Sequence, residues 1–333
     1  MISIFAQCTG KESTMNPEST RGMRRVIALC ALAGLITVAV TLAFGHVAAP
    51  PARVPSAAAG IGANEEYGRR LISQTTEYLG PDVPDAKMRY MNSRLACASC
   101  HIGAGVEPGN LSLATAFNRY PRISPRVGGN ETIQDRINGC MMRSMNGRAL
   151  ADDSPEMAAM VAYLRFLADQ DAGTAASRKK AHEPPGFRTP KRAADLKNGE
   201  EVFGNRCAAC HGKDGAGLAA AKDLVHGFVF PPLWGPNSFN DGAGMHRVLT
   251  AAKFVKARMP LGNADLDDDQ AFDVAAYFNS RPRPHMQGLG RDYPDRMKKP
   301  VDTGYGPYAD PFTIDQHSFG PFPPIEAFYK SAR

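Results

Sequence analysis

Two short runs of this chain could hold chemistry of one kind. Cys97-Ala-Ser-Cys100-His101 and Cys207-Ala-Ala-Cys210-His211 each set two thiols and an imidazole within five residues. Two residues between the cysteines let one helical turn present both sulfurs and the adjacent histidine to a single porphyrin. The thiols then bond the haem vinyl groups and the imidazole ligates iron, so each run reads as a c-type haem attachment site. A thioredoxin-like redox pair would need a strand–helix–strand setting, which the flanking sequence lacks. A zinc site would have to pair the two runs, which lie 110 residues apart, each in its own helical surroundings. Two covalently bound haem c groups are therefore expected, on Cys97, Cys100 and His101 and on Cys207, Cys210 and His211.

The other axial ligand decides what each haem does. Met259, in Arg258-Met259-Pro260-Leu261-Gly262, follows His211 by 48 residues and precedes a closing helix. A cytochrome c fold places its thioether there, and a methionine ligand raises the potential. Met245, His246, Lys253 and Lys256 are the other candidates for that iron. Downstream of His101 two ligands compete. Met145 falls opposite Met259 when the closing helices are aligned. Cys140 would instead donate thiolate charge to the iron, lower its potential and keep a reactive sulfur at the haem face. Spacing alone does not choose between them.

The elements that must position these groups repeat. Each half runs helical segment, haem motif, Gly- and Pro-rich loop, closing helix. Apolar spacing predicts the opening helices over 65–79 and 194–203, and the closing helices over 154–168 and 267–279. Ser154-Pro155-Glu156 is a helix start, with serine as cap and proline at the first helical position. Val161-Ala162-Tyr163-Leu164 and Ala275-Ala276-Tyr277-Phe278 match across the halves and argue for duplication. No alternating strand pattern of useful length occurs. The expected fold is all-α, two tandem cytochrome c-like domains. Domain one spans 60–171, a linker 172–193, domain two 194–284, and an extended tail 285–333. The tail's aromatics, among them Phe312, Phe319, Phe322, Phe328 and Tyr329, favour packing against domain two over disorder.

Composition bounds the rest. The 333 residues allow about two domains. At 43% hydrophobic the chain is too polar for a polytopic membrane protein. A net charge of +6, without clustered basic residues, gives no sign of nucleic-acid binding and weakly favours small anions or an acidic electron partner. Arg21, Arg24 and Arg25 precede an uncharged apolar run over 26–44 and a Pro/Ala-rich stretch over 48–59. Residues 1–59 therefore read as a cleaved export signal or a membrane anchor with a spacer. Either way the rest of the chain lies outside the cytoplasm, in the periplasm, where c-type haem is attached. Membrane contact is expected only if the segment is uncleaved. Of seven cysteines, Cys8 and Cys30 fall in this segment and four in the haem motifs, which leaves Cys140 without a disulfide partner.

Several longer segments carry a resemblance. Arg136-Ile-Asn-Gly-Cys140, Arg143-Ser144-Met145-Asn-Gly and Phe230-Pro-Pro-Leu-Trp234-Gly-Pro-Asn-Ser-Phe239-Asn-Asp-Gly-Ala-Gly-Met245, with Cys97-Ala-Ser-Cys100-His101 and Tyr120-Pro121 followed by Arg126, resemble the dihaem thiosulfate dehydrogenases. The likeness covers about 65–284. The cysteine segment is also similar to the SoxA-type sulfur-oxidising cytochromes. The resemblance implies an oxidoreductase that joins two thiosulfates into tetrathionate and releases two electrons, or runs the reverse. It implies ligation of the first haem by His101 and Cys140, and an anion site beside it from Arg126, Arg136 and Ser144. Some members carry a lysine just before the methionine. Here that position is Arg258, which does not readily deprotonate, so His211 and Met259 are expected to ligate the second haem.

The physical reading agrees. Two thiosulfate dianions repel each other, and guanidinium groups offer fixed, bidentate positive charge to bring them together. Arg126, Arg136 and Arg143 are candidates, and Ser144 shares a face with Cys140 if that stretch is helical. The expected partners are thiosulfate or tetrathionate and an external acceptor such as a small cytochrome c or other periplasmic redox protein. The competing readings are a non-enzymatic dihaem electron carrier, with Met145 and Met259 as ligands, and a SoxA-type subunit that needs a partner chain.

Overall fold

The computed structural model describes residues 61–109, 111–171, 186–222 and 224–332. The expected export segment and most of the linker lie outside the described residues. Among the described residues, no helix is long and apolar enough to cross a membrane.

The first half opens with α1 (Ala63–Ser73) and α2 (Thr75–Leu79). The sequence reads as one helix over 65–79, but the chain breaks at Gln74. The cause is local. The Thr75 hydroxyl donates to the Ile72 carbonyl and accepts the Cys97 N–H at 3.0 Å. A threonine hydroxyl that bonds nearby backbone competes with the helical ladder. Here it diverts the chain so that Thr75 and Thr76 hold the start of the first haem motif. The Thr76 hydroxyl also donates to the carbonyls of Arg94 and Leu95. A short hairpin follows, β1 (Arg122–Ser124) antiparallel to β2 (Gly129–Glu131). Then come α3 (Ile133–Arg143) and α4 (Pro155–Gln170). The Ser154 hydroxyl accepts the Met157 N–H, so the expected cap and N1 proline both stand.

The second half repeats this order. It runs α5 (Leu196–Arg206), the one-turn α6 (Ala208–His211), a two-strand pair β3 (Leu218–Ala219) and β4 (Phe228–Phe230), α7 (Val248–Arg258) and α8 (Asp268–Asn279). The duplication shows best where the opening and closing helices cross. On α1, a methyl group at Gly68 would collide with the Ala159 carbonyl and the Tyr163 side chain of α4. On α5, one at Gly199 would collide with the Asp273 carbonyl and the Tyr277 side chain of α8. Glycine therefore sits where two backbones touch, and the aligned tyrosines flank both crossings.

Helix α8 is enclosed on every side, with all residues from Ala271 to Asn279 buried. A helix buried all round needs a second covering layer, and the C-terminal segment supplies it. That segment is ordered, as its aromatics imply, but it is not extended throughout. It contains α9 (Ile314–Phe319) and α10 (Pro323–Ser331). Phe322 and Ile325 are fully buried, and the Phe322 ring meets Phe272 of α8 edge-on at 6.1 Å. His317 is fixed between the Val301 carbonyl and Asp310 and stacks on Tyr308 at 3.7 Å.

The two glycines of α5 give opposite expectations for one substitution. Gly199→Ala forces two backbones apart and should lower stability by about 1–3 kcal/mol. Gly204 has open space around it, so Gly204→Ala should raise stability by up to about 1 kcal/mol through helix propensity. Denaturant unfolding of the holoprotein reads both.

Candidate functional site

The first haem motif is a tight turn held from both ends. Cys97 begins a 3-10 turn, and the N–H groups of Cys100 and His101 both return to the Cys97 carbonyl. The His101 Nδ1 lies 2.6 Å from the Leu111 carbonyl. A carbonyl can only accept, so Nδ1 carries the proton and Nε2 is left as a free lone pair for a metal. Desolvation by the surrounding protein lowers the His101 pKa, Arg136 lowers it further, and the bond to Leu111 opposes both. The neutral form that ligates iron is thereby favoured. The loop 103–113 reaches back to Leu111 through backbone with positive φ at Gly103, Ala104, Gly105, Gly109 and Leu111.

Helix α3 brings Cys140 and Arg136 to the same place. It starts at a capping box between Thr132 and Asp135. Its end is fixed because the buried Asn138 side chain bonds both the N–H and the C=O of Leu150. Met141 points into the core, 1% exposed. Arg136 and Cys140 are one turn apart and share a face. Arg136 is held above its usual pKa first by the Cys140 sulfur, with desolvation opposing and Tyr120, Glu131 and Tyr293 adding to the rise. Cys140 in turn acts electrostatically on Cys97, Cys100 and Tyr120. The thiols Cys97, Cys100 and Cys140, the His101 imidazole and the Arg136 guanidinium thus come together at one partly exposed surface. Ser144 caps α3, and its N–H bonds the Cys140 carbonyl, so its side chain follows on the Cys140 face.

Met145 goes elsewhere. It is 4% exposed, belongs to the hydrophobic core with Met91, Leu95 and Leu150, and its carbonyl accepts both the N–H and the hydroxyl of Ser93. Of the two sulfurs that spacing left open, Cys140 faces the motif and Met145 packs into the core.

Arg126 sits beside this surface, in contacts the sequence does not reveal. Arg126 and Arg143 both donate to the Gly242 carbonyl of the second half, each at 3.2 Å. Both also meet Asp292 of the C-terminal segment, Arg143 at 2.7 Å and Arg126 at 3.7 Å. The Tyr305 hydroxyl donates to the other Asp292 oxygen at 2.6 Å. The Arg126 guanidinium lies over the Tyr293 ring, 5.4 Å from its centre. Desolvation pulls the Arg126 pKa down, but Tyr293, Tyr305 and Asp292 more than offset it. Arg143 is the more tightly held of the two, 2.7 Å from Asp292 against 3.7 Å for Arg126. The segment expected to wrap domain two therefore also reaches Arg126 and the end of α3 in the first half.

The second motif is built alike and surrounded differently. Cys207 ends α5, α6 carries Cys210 and His211, and the His211 Nδ1 bonds the Pro231 carbonyl at 2.7 Å. Desolvation lowers the His211 pKa. Trp234 packs against Phe203 and meets Tyr277 edge-on, in a largely apolar aromatic group. Met259 is the C-cap of α7, partly buried against the core. Its competitors have other roles or places. Lys256 bonds the Leu266 carbonyl, Lys253 points to solvent, and His246, whose pKa desolvation lowers to about 4, is tucked beside Arg283, Asp241 and Asn279. Arg258 donates to the carbonyls of Glu107 and Pro108, in the loop that follows the first motif.

These donor sets fit haem c. Each motif offers two unpaired thiols one turn apart and a histidine with Nε2 free. Among the described residues, no group of three or more His, Cys, Asp or Glu side chains could hold a bare metal ion. A zinc reading thus finds no ligand set, whereas a porphyrin brings four ligands of its own.

Comparison with known proteins agrees with this geometry. Residues 88–171 match the family described as SoxA/TsdA, cytochrome c domain, and residues 194–278 match cytochrome C oxidase, cbb3-type, subunit III. A thiosulfate dehydrogenase of Allochromatium vinosum is 39% identical over 80% of this chain and 98% of its own length. One from Stutzerimonas stutzeri is 33% identical over 80% of this chain and 84% of its own. The solved thiosulfate dehydrogenase (TsdBA) of Marichromatium purpuratum superposes with a TM-score of 0.61 at 32% identity, covering 72% of this chain. The present chain spans half the length of that protein. With two cytochrome c modules, two haem c attachment sites and relatives of this similarity along most of its length, the chain belongs to the thiosulfate dehydrogenase family of c-type cytochromes.

Proposed function

We propose that this chain joins two thiosulfate ions into tetrathionate at its first haem and delivers the two electrons through its second to an external one-electron acceptor. The observation that carries this reading is the pairing of Arg136 with Cys140, one helical turn apart, next to His101, Cys97 and Cys100. A plain electron carrier would want Met145 at the first haem, and Met145 lies in the core.

The chemistry assigns each residue a task. The haem irons supply the electron acceptance, one electron each. Arg136 and Arg126 bind sulfonate oxygens and offset the repulsion between the dianions, each charge-assisted bond contributing about 1.5–3 kcal/mol. Ser144 offers a hydroxyl on the same face. The Cys140 sulfur forms a bond to the outer sulfur of one thiosulfate as two electrons depart, which gives a cysteine S-thiosulfonate. The outer sulfur of a second thiosulfate then attacks the outer sulfur of that adduct. The bond to Cys140 breaks, tetrathionate leaves, and the Cys140 thiolate is restored. Every step reverses if electrons are supplied instead.

His211 and Met259 ligate the second haem in this reading, and its apolar setting near Trp234, with a thioether ligand, suits a higher potential. The acceptor is a small cytochrome c or a comparable periplasmic protein. Export by residues 1–59, whether or not that segment is removed, places the reaction outside the cytoplasm.

Cys140→Gly should keep both haems covalently bound and lose thiosulfate-dependent ferricyanide reduction; near-normal rates would defeat the role of Cys140. Low-temperature EPR of the oxidised protein should show a low-spin His/thiolate signal that Cys140→Gly removes and Met145→Leu leaves in place. Arg136→Gln should lower kcat/KM for thiosulfate by about 10–100-fold, the equivalent of one charge-assisted bond, without loss of either haem.

A further inference from the structure

The C-terminal segment makes an unusual turn against the substrate site. Tyr293 is a bulky aromatic residue with φ of 56°, in the left-handed region that such side chains rarely adopt. Strain of this kind persists only where its surroundings hold it in place, and it gathers at functional sites. Here the surroundings are specific. The Tyr293 N–H donates to the Arg126 carbonyl at 2.8 Å, while the Arg126 guanidinium returns to lie over the Tyr293 ring. The preceding residue, Asp292, is fixed by Arg143, Arg126 and Tyr305. Gly128, in the hairpin just after Arg126, lies tight against Pro294, leaving no room for a side chain.

Tyr293 is 4% exposed. Of the two guanidinium groups assigned to the anion, Arg126 after β1 is the one it touches, through both backbone and ring.

We propose that Tyr293 is a positioning residue for the anion site, holding the Arg126 guanidinium in place for one thiosulfate sulfonate. Asp292 holds Arg143 at 2.7 Å and stands 3.7 Å from Arg126, so Arg126 is the less engaged of the two. The Tyr293 ring limits the sideways movement of Arg126, and its hydroxyl accepts a hydrogen bond from that guanidinium. Binding then loses less conformational freedom, which is how a preorganised site gains affinity. The positive φ makes a clean experiment available, because glycine adopts this backbone at no steric cost. Tyr293→Gly removes the ring and leaves the turn unstrained.

The inference rests on the proposed reading of the site. Failure of the unaltered holoprotein to form tetrathionate from thiosulfate would defeat that reading. Turnover by the unaltered protein, with unchanged variants, would defeat the role of Tyr293 alone. In steady-state thiosulfate oxidation with ferricyanide, Tyr293→Gly should raise KM about tenfold or more, while kcat falls much less. Tyr293→Phe keeps the ring and should rescue most of the effect, with KM about two- to threefold above the unaltered value. The His/thiolate EPR signal should be unchanged in both, which separates positioning of Arg126 from disturbance of the haem. An unaltered KM in Tyr293→Gly overturns the proposal. So does an equal fall in kcat and kcat/KM at unchanged KM. Should Tyr293→Gly fail to mature with both haems, Tyr293→Phe decides: a raised KM supports the proposal, and an unaltered one overturns it.

Discussion

In each half the opening and closing helices meet backbone to backbone, and the haem motif hangs from that crossing. Gly68 meets the Ala159 carbonyl, and Gly199 meets the Asp273 carbonyl. A larger residue at either glycine would push the helices apart, since packed interiors yield little. The crossing fixes where α1 and α5 end, and the cysteines begin within a few residues of those ends or are tied back to them. In the first half the tie is the Thr75 hydroxyl on the Cys97 N–H, and in the second Cys207 itself ends α5. The imidazoles are then turned by single carbonyls, Leu111 for His101 and Pro231 for His211. Two helix crossings and three hydrogen bonds thus position the two attachment motifs.

From this shared scaffold the halves diverge through a few residues around each histidine. Near His211 the neighbour is Phe230, edge-on at 6.4 Å, while Trp234, Phe203 and Tyr277 pack on one another. Near His101 stands a guanidinium, and charge in a partly desolvated cavity acts far more strongly than in water. One turn of α3 then sets sulfur beside that charge. The aligned methionine, Met145, is drawn one residue past the helix cap into the core, where its carbonyl is bonded by Ser93. The same fold can therefore hold an electron-transfer centre in one half and a reactive centre in the other.

Much of this was legible because its signals are local. The haem motifs are five residues long, the cap at Ser154 is three, and the closing helices carry apolar periodicity. The pairing of Arg136 with Cys140 follows from helical spacing once α3 is accepted. The break at Gln74 was not legible, because its cause is a hydroxyl bonded to a residue more than twenty positions away. The contribution of Asp292, Tyr293 and Tyr305 was still less so. Aromatic content said the tail would pack, but nothing in its composition says which surface it packs on. The commitment of Arg143 to Asp292 was hidden for the same reason, since three arginines in a short stretch look equivalent until their partners are known.

Those distant contacts also bear on how electrons leave. The end of α3 is bound to the second half by Asn240, which donates to the Met142 carbonyl and Asn146, and by Arg143 on the Gly242 carbonyl. Arg94 holds Asn237 at 2.7 Å, and Arg258, next to Met259, holds the loop after His101. Substrate-side arginines and ligand-bearing segments are thus fastened to one another across the two halves. A reaction that must part with two electrons together, through centres that carry one each, needs the centres at a fixed separation so that the second electron follows the first promptly. Hydrogen bonds between carbonyls and guanidinium groups suit that purpose, because each fixes direction as well as distance. Arg94, Arg126, Arg143 and Arg258 thus tie the two halves together, and in the proposed reading a change in how thiosulfate is bound is also a change in how the halves are joined.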